Sequence, residues 1–363
     1  MSIIKPQRTG KVSKIETTLS DGRDLIYYLD SEMVPTNLHP DRRPGEPRPK
    51  TNELRRDPLT GEWISVSPHR GERAFLPPKQ ACPLCPSTEE YLSEIPGPFD
   101  VAVFENKNPS FGPDQELIAP EGDAFNATAK ATGRCEVVVF SPEHTGSLAG
   151  QTPERFRTVV DAWIDRTKEL STIGGVKQVF IFENRGEEIG VTLHHPHGQI
   201  YAYPFVTPTT KKLQQQIASV DEDFFERLLA SESNTQRVLI ETEDFISFVP
   251  FAARWPIEIH ILPKRHIGNL TELSESETKQ FAEIYQKLLG ALDNLYDSPT
   301  PYISAIHQAP KGDENIRLMV KITSPRRAAD KLKYLAGSES AMGAFVTDVA
   351  PESIAEMLKG VLR

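Results

Sequence analysis

An internal repeat constrains the fold of this 363-residue chain more than any other feature. Four residue types recur 122 positions apart, namely Glu136 and Glu258, His144 and His266, Gly146 and Gly268, and Leu148 and Leu270. Each copy predicts a strand rich in β-branched residues, a turn that ends in histidine, and a helix with an aromatic residue, Trp163 or Tyr285, at the same spacing. Two more strands are predicted after each helix. One duplicated strand-helix-strand unit explains the pattern, so we expect two related halves.

The first half contains a cluster of three histidines in the segment His194-His195-Pro196-His197-Gly198-Gln199. Side chains alternate along an extended strand, so His195 and His197 point to one face and His194 points to the other. Near neutral pH, histidine acts as a metal ligand, an acid or base, or a nucleophile. This segment alone leaves open a surface cluster or a site that only binds metal. The corresponding segment of the second half, 317–322, has no histidine, so we expect the reactive group in the first half.

Composition excludes several kinds of partner. With a formal net charge of -10, the chain has no electrostatic attraction for nucleic acid. No apolar run approaches the length that spans a membrane, and the first residues lack the charged and apolar regions of a signal peptide. We therefore expect a cytoplasmic protein with no nucleic acid or membrane partner.

Composition and periodicity also divide the chain. Residues 1–50 are rich in proline and charge and predict an irregular N-terminal arm, with at most a short hairpin around residues 25–28. Residues 51–210 form the predicted first half, with the histidine cluster. The segment 211–236 has apolar residues at helical spacing and predicts a helical connector. Residues 237–363 form the predicted second half, in which the histidine motif is degenerate.

The three cysteines are too few for a disulfide framework in a chain of this length. Cys82 and Cys85 have the Cys-x-x-Cys spacing of metal ligands or of a redox pair. No thioredoxin-like strand and helix follows them, which favours the metal. We expect Cys135 to be a buried packing residue.

Four motifs in order resemble the galactose-1-phosphate uridylyltransferase family, a branch of the histidine-triad superfamily. They are the His-Pro-His-Gly-Gln sequence at 195–199, the segment 56–70, the segment 182–186 and the segment 333–339. The resemblance runs from about Arg55 to Glu352. It implies an α+β fold of tandem histidine-triad-like units, with an antiparallel sheet flanked by helices, and it accounts for the repeat.

The resemblance also implies a reaction. His197 would attack the α-phosphorus of UDP-glucose, release glucose 1-phosphate and form a uridylyl-histidine that galactose 1-phosphate then attacks. Hydrolytic relatives have a third alternating histidine where this chain has Gln199, whose amide hydrogen-bonds phosphoryl oxygens but is a poor proton donor. A simple strand-edge amide is the alternative role for Gln199. Alternative functions are a related nucleotidyltransferase, such as an ADP-sugar phosphorylase, and a non-enzymatic zinc-stabilised nucleotide-binding protein.

Site residues follow from the same resemblance. It implies a structural zinc ion with four protein ligands, Cys82, Cys85, His144 and His195. It implies nucleotide contacts from Arg70, Arg73, Leu84, Phe104, Asn106 and Lys107, and phosphate contacts from Asn184, Thr192 and Gln199. Hexose phosphate recognition is implied for Lys333, Ala336 and Glu339. Without that context, the arginines are ordinary solvated charges, and Lys333 and Glu339 are a helix-end pair.

Two departures from the family pattern matter. Some members bind a second metal through a glutamate and three histidines, of which this chain retains only His307, so we expect no iron site. In the hexose pocket, Ser338 and Phe345 replace a tyrosine and a glutamine, which leaves the choice of hexose open. The family also implies a homodimer with shared active sites.

Overall fold

The computed structural model of the chain describes residues 7–9, 12–30, 39–72, 75–118, 122–220 and 223–362. These residues form two compact units. The first unit draws on 1–146, 158–181 and 192–212, and the second on 147–157, 182–191 and 213–363. Within the described ranges, every helix is too short or too polar to cross a membrane.

The strands, in chain order, are β1 (Gln7–Thr9), β2 (Val12–Thr18), β3 (Asp24–Leu29), β4 (Glu53–Arg56), β5 (Trp63–Val66), β6 (Val101–Glu105), β7 (Thr128–Lys130), β8 (Arg134–Val139), β9 (Gln178–Arg185), β10 (His197–Tyr203), β11 (Val238–Glu241), β12 (Phe245–Phe248), β13 (Ile257–Pro263), β14 (Tyr302–His307), β15 (Met319–Ser324), β16 (Arg326–Ala328) and β17 (Lys331–Leu332). The α-helices are α1 (Pro153–Thr172), α2 (Pro208–Ala218), α3 (Phe224–Glu232), α4 (Glu275–Asp293), α5 (Gly337–Met342) and α6 (Pro351–Val361). Short 3-10 helices span Pro68–Glu72, Lys79–Ala81, Glu187–Ile189 and Leu270–Glu272.

Each unit is built on an antiparallel sheet. In the first unit the strand order is β1-β2-β3-β6-β8-β10, with β5-β4-β7 as a small separate sheet. In the second unit the order is β14-β15-β13-β12-β11. Strand β9 contributes residues to both units. The predicted α+β class, with antiparallel sheet and helices, is confirmed.

The register of the first sheet sets the position of the histidine motif. His197 lies opposite Val139 of β8, and Gln199 lies opposite Val137. Val137 in turn lies opposite Phe104 of β6. Directly opposed residues project from the same face of a sheet. His197, Gln199 and Phe104 therefore share one face.

Helix α1 covers the other face of this sheet. The hydroxyl of Tyr28 on β3 donates a hydrogen bond of 2.6 Å to Asp165 on α1. Arg166 on α1 binds both carboxylate oxygens of Glu136 on β8, at 2.8 and 2.9 Å. Both partners of that pair are buried away from water, so each charge is compensated by the other. This pair ties α1 to the strand that lies beside the histidine motif.

The second unit repeats the order of the first, as the sequence predicts. Helices α1 and α4 begin 122 positions apart, and so do strands β10 and β15. Trp163 on α1 and Tyr285 on α4 are both buried. The repeated order of strands and helices that the sequence predicts is therefore present, and duplication stays its explanation.

The position equivalent to His197 has become part of the core in the second unit. Met319, which begins β15, is buried in an apolar cluster with Phe225 and Phe248. Helices α2 and α3, in the segment predicted as a helical connector, supply apolar side chains to this cluster, namely Leu213, Ile217, Phe224, Phe225, Leu228 and Leu229. Because helices cover this face, the second copy presents a packing surface where the first presents its histidine.

The predicted irregular arm is wrong for residues 12–29, which form the paired strands β2 and β3 with a buried apolar face. The charged composition of this segment was misleading because charged side chains of these strands are buried in ion pairs. Lys14 lies 2.9 Å from Asp165, and Arg23 lies 2.7 Å from Asp21. Of the remaining arm, residues 1–6, 10–11 and 31–38 lie outside the described residues.

We expect Glu136→Ala to lower the free energy of unfolding by about 3–5 kcal/mol, because it leaves the buried guanidinium of Arg166 without its carboxylate. Chemical denaturation followed by circular dichroism measures the change. Glu283→Ala is the control: Glu283 is 55% exposed and lies 3.9 Å from Lys279, and its loss should cost less than about 0.5 kcal/mol. Equal effects of the two substitutions would contradict a structural role for the Glu136–Arg166 pair.

Candidate active site and metal centre

Four predicted metal ligands converge in the first unit. The ligand atoms of Cys82, Cys85, His144 and His195 all lie within 4.8 Å of one another. The Cys85 sulfur lies 3.4 Å from Nδ1 of His144 and 3.4 Å from Nδ1 of His195, and the Cys82 sulfur lies 3.7 Å from Nδ1 of His195. Ligands around a tetrahedral ion with metal–sulfur bonds of about 2.3 Å and metal–nitrogen bonds of about 2.0 Å are about 3.5 Å apart. The set therefore fits one tetrahedral metal ion.

A neighbouring carbonyl orients one of these ligands. The Nε2 atom of His195 lies 2.8 Å from the carbonyl oxygen of Ser141, which only accepts hydrogen bonds. Nε2 therefore carries the proton, and the lone pair on Nδ1 points to the ligand cluster. Burial lowers the pKa of His195 to about 4, so the imidazole is neutral at physiological pH, as a metal ligand must be.

The thiols argue against a redox pair. Burial and the neighbouring Cys82 raise the pKa of Cys85 to about 12, whereas reactive redox thiols have a lowered pKa. A bound metal ion would instead supply the positive charge that favours the thiolate.

Cys135 lies apart in an apolar cluster with Leu54 and Phe111, and it is fully buried. It is a packing residue, as predicted.

His197 is held as a neutral imidazole with one free lone pair. Its Nδ1 lies 2.8 Å from the carbonyl oxygen of His195, so Nδ1 carries the proton and donates it. The second nitrogen, Nε2, then has the lone pair. Burial lowers the pKa of His197. The geometry therefore presents Nε2 as a nucleophile.

Gln199 lies on the strand face of His197, and Arg70, from the 3-10 helix Pro68–Glu72, lies near the end of that strand. Gln199 is half-buried, two residues after His197 on β10. Arg70 lies near the hydroxyl of Tyr201, the next residue of that face. Arg70 also donates a hydrogen bond of 2.9 Å to the carbonyl oxygen of Asn108. One predicted cation thus lies near the end of the strand that presents the histidine.

Leu84 and Phe104 pack in one apolar cluster on the face that carries Val137. Both side chains are buried. The backbone N–H of Leu84 lies 3.4 Å from the sulfur of Cys82. Leu84 therefore lies on the loop that carries Cys82 and Cys85, and this loop packs on the sheet face of Phe104.

The remaining nucleotide residues lie in different settings. The side-chain oxygen of Asn106 accepts a hydrogen bond of 2.9 Å from the backbone N–H of Asn108, so a local turn already engages it. Lys107 is exposed. The carbonyl of Thr192 accepts a hydrogen bond of 2.8 Å from the backbone of Leu76. Asn184 is half-buried on β9, in the second unit. Arg73 lies outside the described residues.

A cavity of about 380 Å³ in the second unit contains two of the predicted hexose residues. Lys333 and Glu339 lie in its wall and are 2.9 Å apart. Its full lining is Arg327, Leu332, Lys333, Tyr334, Glu339, Val346 and Asp348. Ala336 is absent from this lining and instead precedes α5 as its N-cap.

The two departures from the family pattern are engaged in local packing. The Ser338 hydroxyl donates a hydrogen bond of 2.8 Å to the carbonyl of Ala344, and the Phe345 ring packs against Trp255 with centroids 6.4 Å apart. Arg327 and Asp348 also line the cavity, and no sequence motif predicts them. No local pattern links them, because they are 21 residues apart and meet only through the fold.

His307 lies in a buried polar region of the second unit. Burial, with Lys321 nearby, lowers its pKa to about 3. In the same region His260 lies 2.9 Å from Glu258. Among the described residues, Cys82, Cys85, His144 and His195 are the one group of three or more potential ligands close enough to hold a metal ion. The expected lack of an iron site stays a prediction.

Comparison with known proteins gives consistent matches. Residues 45–207 match the family model for the N-terminal domain of galactose-1-phosphate uridyl transferase, and residues 209–324 match that for its C-terminal domain. The chain is 43% identical to galactose-1-phosphate uridylyltransferase of Streptomyces lividans, over 83% of this chain and 82% of the relative. It is 37% identical to the enzyme of Thermotoga maritima, over 85% and 98%.

Solved structures also resemble this protein. A uridylyltransferase structure matches with a TM-score of 0.77 and 33% identity, covering 85% of this chain and 98% of the other. An ADP-glucose phosphorylase from Arabidopsis thaliana matches with a TM-score of 0.64 and 23% identity, covering 86% and 99%. At that identity the second likeness concerns the fold alone.

We expect about one metal ion per chain in the first unit, because four ligand atoms fit one tetrahedral ion. Cys82→Ser should lower both the bound metal and the melting temperature, since binding free energy contributes to folding. Elemental analysis of the purified protein and thermal denaturation measure the two effects. Cys135→Ala removes a cysteine outside the cluster and should keep the metal. Full metal content in Cys82→Ser would contradict the assignment.

Proposed function

The chain belongs to the galactose-1-phosphate uridylyltransferase family, and we propose that it transfers UMP from UDP-glucose to galactose 1-phosphate through a covalent uridylyl group on His197. The observation that carries this proposal is the hydrogen bond of 2.8 Å between Nδ1 of His197 and the carbonyl oxygen of His195. It leaves the lone pair on Nε2 for attack on phosphorus.

In the first step, Nε2 of His197 forms a bond to the α-phosphorus of UDP-glucose, and the bond to the bridging oxygen breaks. The bridging oxygen leaves as part of the phosphate of glucose 1-phosphate. A phosphate ester takes its second proton only below a pH of about 6, so this oxygen leaves without a proton donor. The uridylyl imidazole is a cation whose Nδ1–H still donates to the carbonyl of His195, which stabilises the developing charge.

In the second step, a phosphate oxygen of galactose 1-phosphate attacks the α-phosphorus and breaks its bond to Nε2. UDP-galactose forms, and His197 returns to the neutral imidazole. The leaving atom of the first step and the attacking atom of the second step are both anionic phosphate oxygens, so the protein mainly orients the phosphates and neutralises their charge. An amide at Gln199 suits this task, because it donates a hydrogen bond to a phosphoryl oxygen without shuttling protons to water.

We propose that the metal is zinc and that its role is structural. Two thiolates and two imidazoles are a zinc ligand set, and four protein ligands leave no position for substrate. A bound ion would fix His195, whose carbonyl orients the nucleophile two residues later. Elemental analysis should therefore find zinc and no iron.

The substrate contacts of this proposal have uneven support. Arg70 is supported by its position near Tyr201 on the strand face of His197, and Leu84 and Phe104 are supported by their shared apolar cluster. Lys333 and Glu339 are supported by the cavity they line. Roles for Arg73, Asn106, Lys107, Asn184, Thr192 and Ala336, a homodimer with shared sites, and a cytoplasmic location rest on the sequence predictions. The ADP-sugar phosphorylase alternative has the weaker support, since its structural likeness is at 23% identity.

We expect His197→Gly to abolish both the adduct and turnover, because the variant lacks the nucleophilic nitrogen. Incubation with UDP-glucose followed by mass spectrometry of the intact protein detects the added UMP. His194→Gly is the matched control, since it removes the exposed histidine of the same motif and should keep the adduct. An equal adduct mass on His197→Gly would move the nucleophile elsewhere.

We expect Gln199→His to raise hydrolysis of UDP-glucose relative to transfer, because an imidazole beside the phosphorus can shuttle protons for attack by water. Released UMP and UDP-galactose are quantified side by side for the variant and the parent protein. In the parent protein, the adduct should persist when no hexose phosphate is added. An unchanged ratio in a folded variant would mean that another feature of the site excludes water.

A further inference from the structure

The N-terminal hairpin of strands β2 and β3 lies outside the segment 45–207 that matches the N-terminal family model. It nevertheless extends the sheet face that carries the histidine motif. Leu25 on β3 lies opposite Phe104 on β6, so both side chains project from one face. Leu25 also packs in one apolar cluster with Phe104 and Leu84. The family resemblance gives the hairpin no role, although it packs against two residues of the proposed nucleotide site.

Arg23 lies between the two strands of this hairpin, and its side chain is only 1% exposed. Its Nε donates a hydrogen bond of 2.8 Å to Asp21. Its Nη1 donates a hydrogen bond of 2.8 Å to the carbonyl oxygen of Glu105, and its Nη2 donates to the carboxylate of Glu94. One buried guanidinium therefore joins the hairpin to two segments that are far apart in the chain.

One of these segments is the end of a strand, and the other is the loop that follows the metal ligands. Glu105 is the last residue of β6. The backbone N–H of Glu94 donates a hydrogen bond of 3.0 Å to the carbonyl oxygen of Pro83, which precedes Leu84. Arg23 therefore ties the loop of Leu84 to the end of β6.

A second arginine fixes the other oxygen of Glu94. Nη1 of Arg43 lies 2.6 Å from Oε1 of Glu94, whereas Arg23 binds Oε2. Asp41 accepts two hydrogen bonds from the Arg43 side chain, of 3.0 and 2.8 Å. Because both carboxylate oxygens are held by charge-assisted contacts, the loop has a fixed orientation relative to the hairpin.

The Arg23 side chain is too buried to contact a substrate itself. All three of its nitrogen atoms already donate to Asp21, Glu94 or the carbonyl of Glu105. Its effect on a ligand must therefore act through the elements that it joins. Those elements carry Leu84 and Phe104, and apolar side chains suit the base of a nucleotide rather than its phosphate.

We propose that Arg23 is a positioning residue for nucleotide binding, which holds the loop of Leu84 at a fixed distance from the strand of Phe104 so that the base fits between them. The inference rests on the proposed function, which assigns the nucleotide contacts to Leu84 and Phe104. It gives the N-terminal hairpin a role in substrate recognition.

The test is binding of UMP to the full chain with its metal, measured by isothermal titration calorimetry. UMP has the base and the phosphate but no sugar phosphate to release. Arg23→Gln should weaken UMP binding about 10-fold, the effect of one lost charge-assisted hydrogen bond. Arg23→Lys keeps the charge without the planar fork and should bind with intermediate affinity. Glu94→Gln changes the side chain least and should weaken binding about threefold, which tests the same link if Arg23→Gln does not fold.

Two controls separate positioning from a general loss of structure. Ribose 5-phosphate has no base, so its affinity should be the same for Arg23→Gln and the parent protein. Lys14→Met removes a cation of the same hairpin that is 4% exposed and lies 2.9 Å from Asp165. It should lower the melting temperature but keep the affinity for UMP. The metal content of Arg23→Gln should equal that of the parent protein.

An affinity for UMP within about twofold of the parent protein in folded Arg23→Gln and Glu94→Gln would overturn the proposal. Equal losses for UMP and ribose 5-phosphate, an equal loss of UMP affinity in Lys14→Met, or loss of the metal from Arg23→Gln would also overturn it. So would a parent protein that does not bind UMP.

Failure of the proposed function looks different. In that case the parent protein binds UMP, and binding still depends on Arg23, but UDP-glucose leaves no UMP on His197.

Discussion

His195 is the residue on which the catalytic half depends, because three of its groups have three different tasks. Its Nε2 donates to the carbonyl of Ser141, its Nδ1 faces the metal ligands, and its own carbonyl accepts the proton of His197. Each contact fixes the next. The carbonyl of Ser141 sets the tautomer of His195, a bound metal would hold its ring, and its backbone carbonyl then orients His197, the proposed nucleophile. A small rotation at His195 would therefore change the direction of the lone pair on His197.

Duplication gave the two halves the same elements but different uses. In the first unit, the strand that begins at His197 presents alternate polar side chains on a face shared with Phe104. In the second unit, the equivalent strand begins at Met319, and helices α2 and α3 bury it. A reactive imidazole must be reachable by substrate, whereas a core methionine must not be exposed to water. The same strand position therefore became a site in one copy and a packing surface in the other.

The chain has a formal net charge of -10, yet its proposed substrates are anions. Local arrangement resolves this conflict, because the field at a site depends on nearby groups more than on the total charge. Lys14, Arg23 and Arg166 are buried against carboxylates and serve the fold. Arg327 is different, since it is partly exposed and lines the cavity of the second unit. The basic side chains thus divide into those that stabilise the core and those that stay exposed at the surface of a cavity.

Sequence alone determined the repeat at 122 residues, the His-x-His spacing of His195 and His197, and the metal-ligand spacing of Cys82 and Cys85. These features are local or periodic, so residue order expresses them directly. Tertiary structure decided the rest. It paired the charges that turn residues 12–29 into core strands, engaged the Asn106 side chain in a turn, and brought Arg327 to Asp348 across 21 residues. Burial and long-range pairing depend on which distant segments come into contact in the fold. The local sequence pattern does not contain that information.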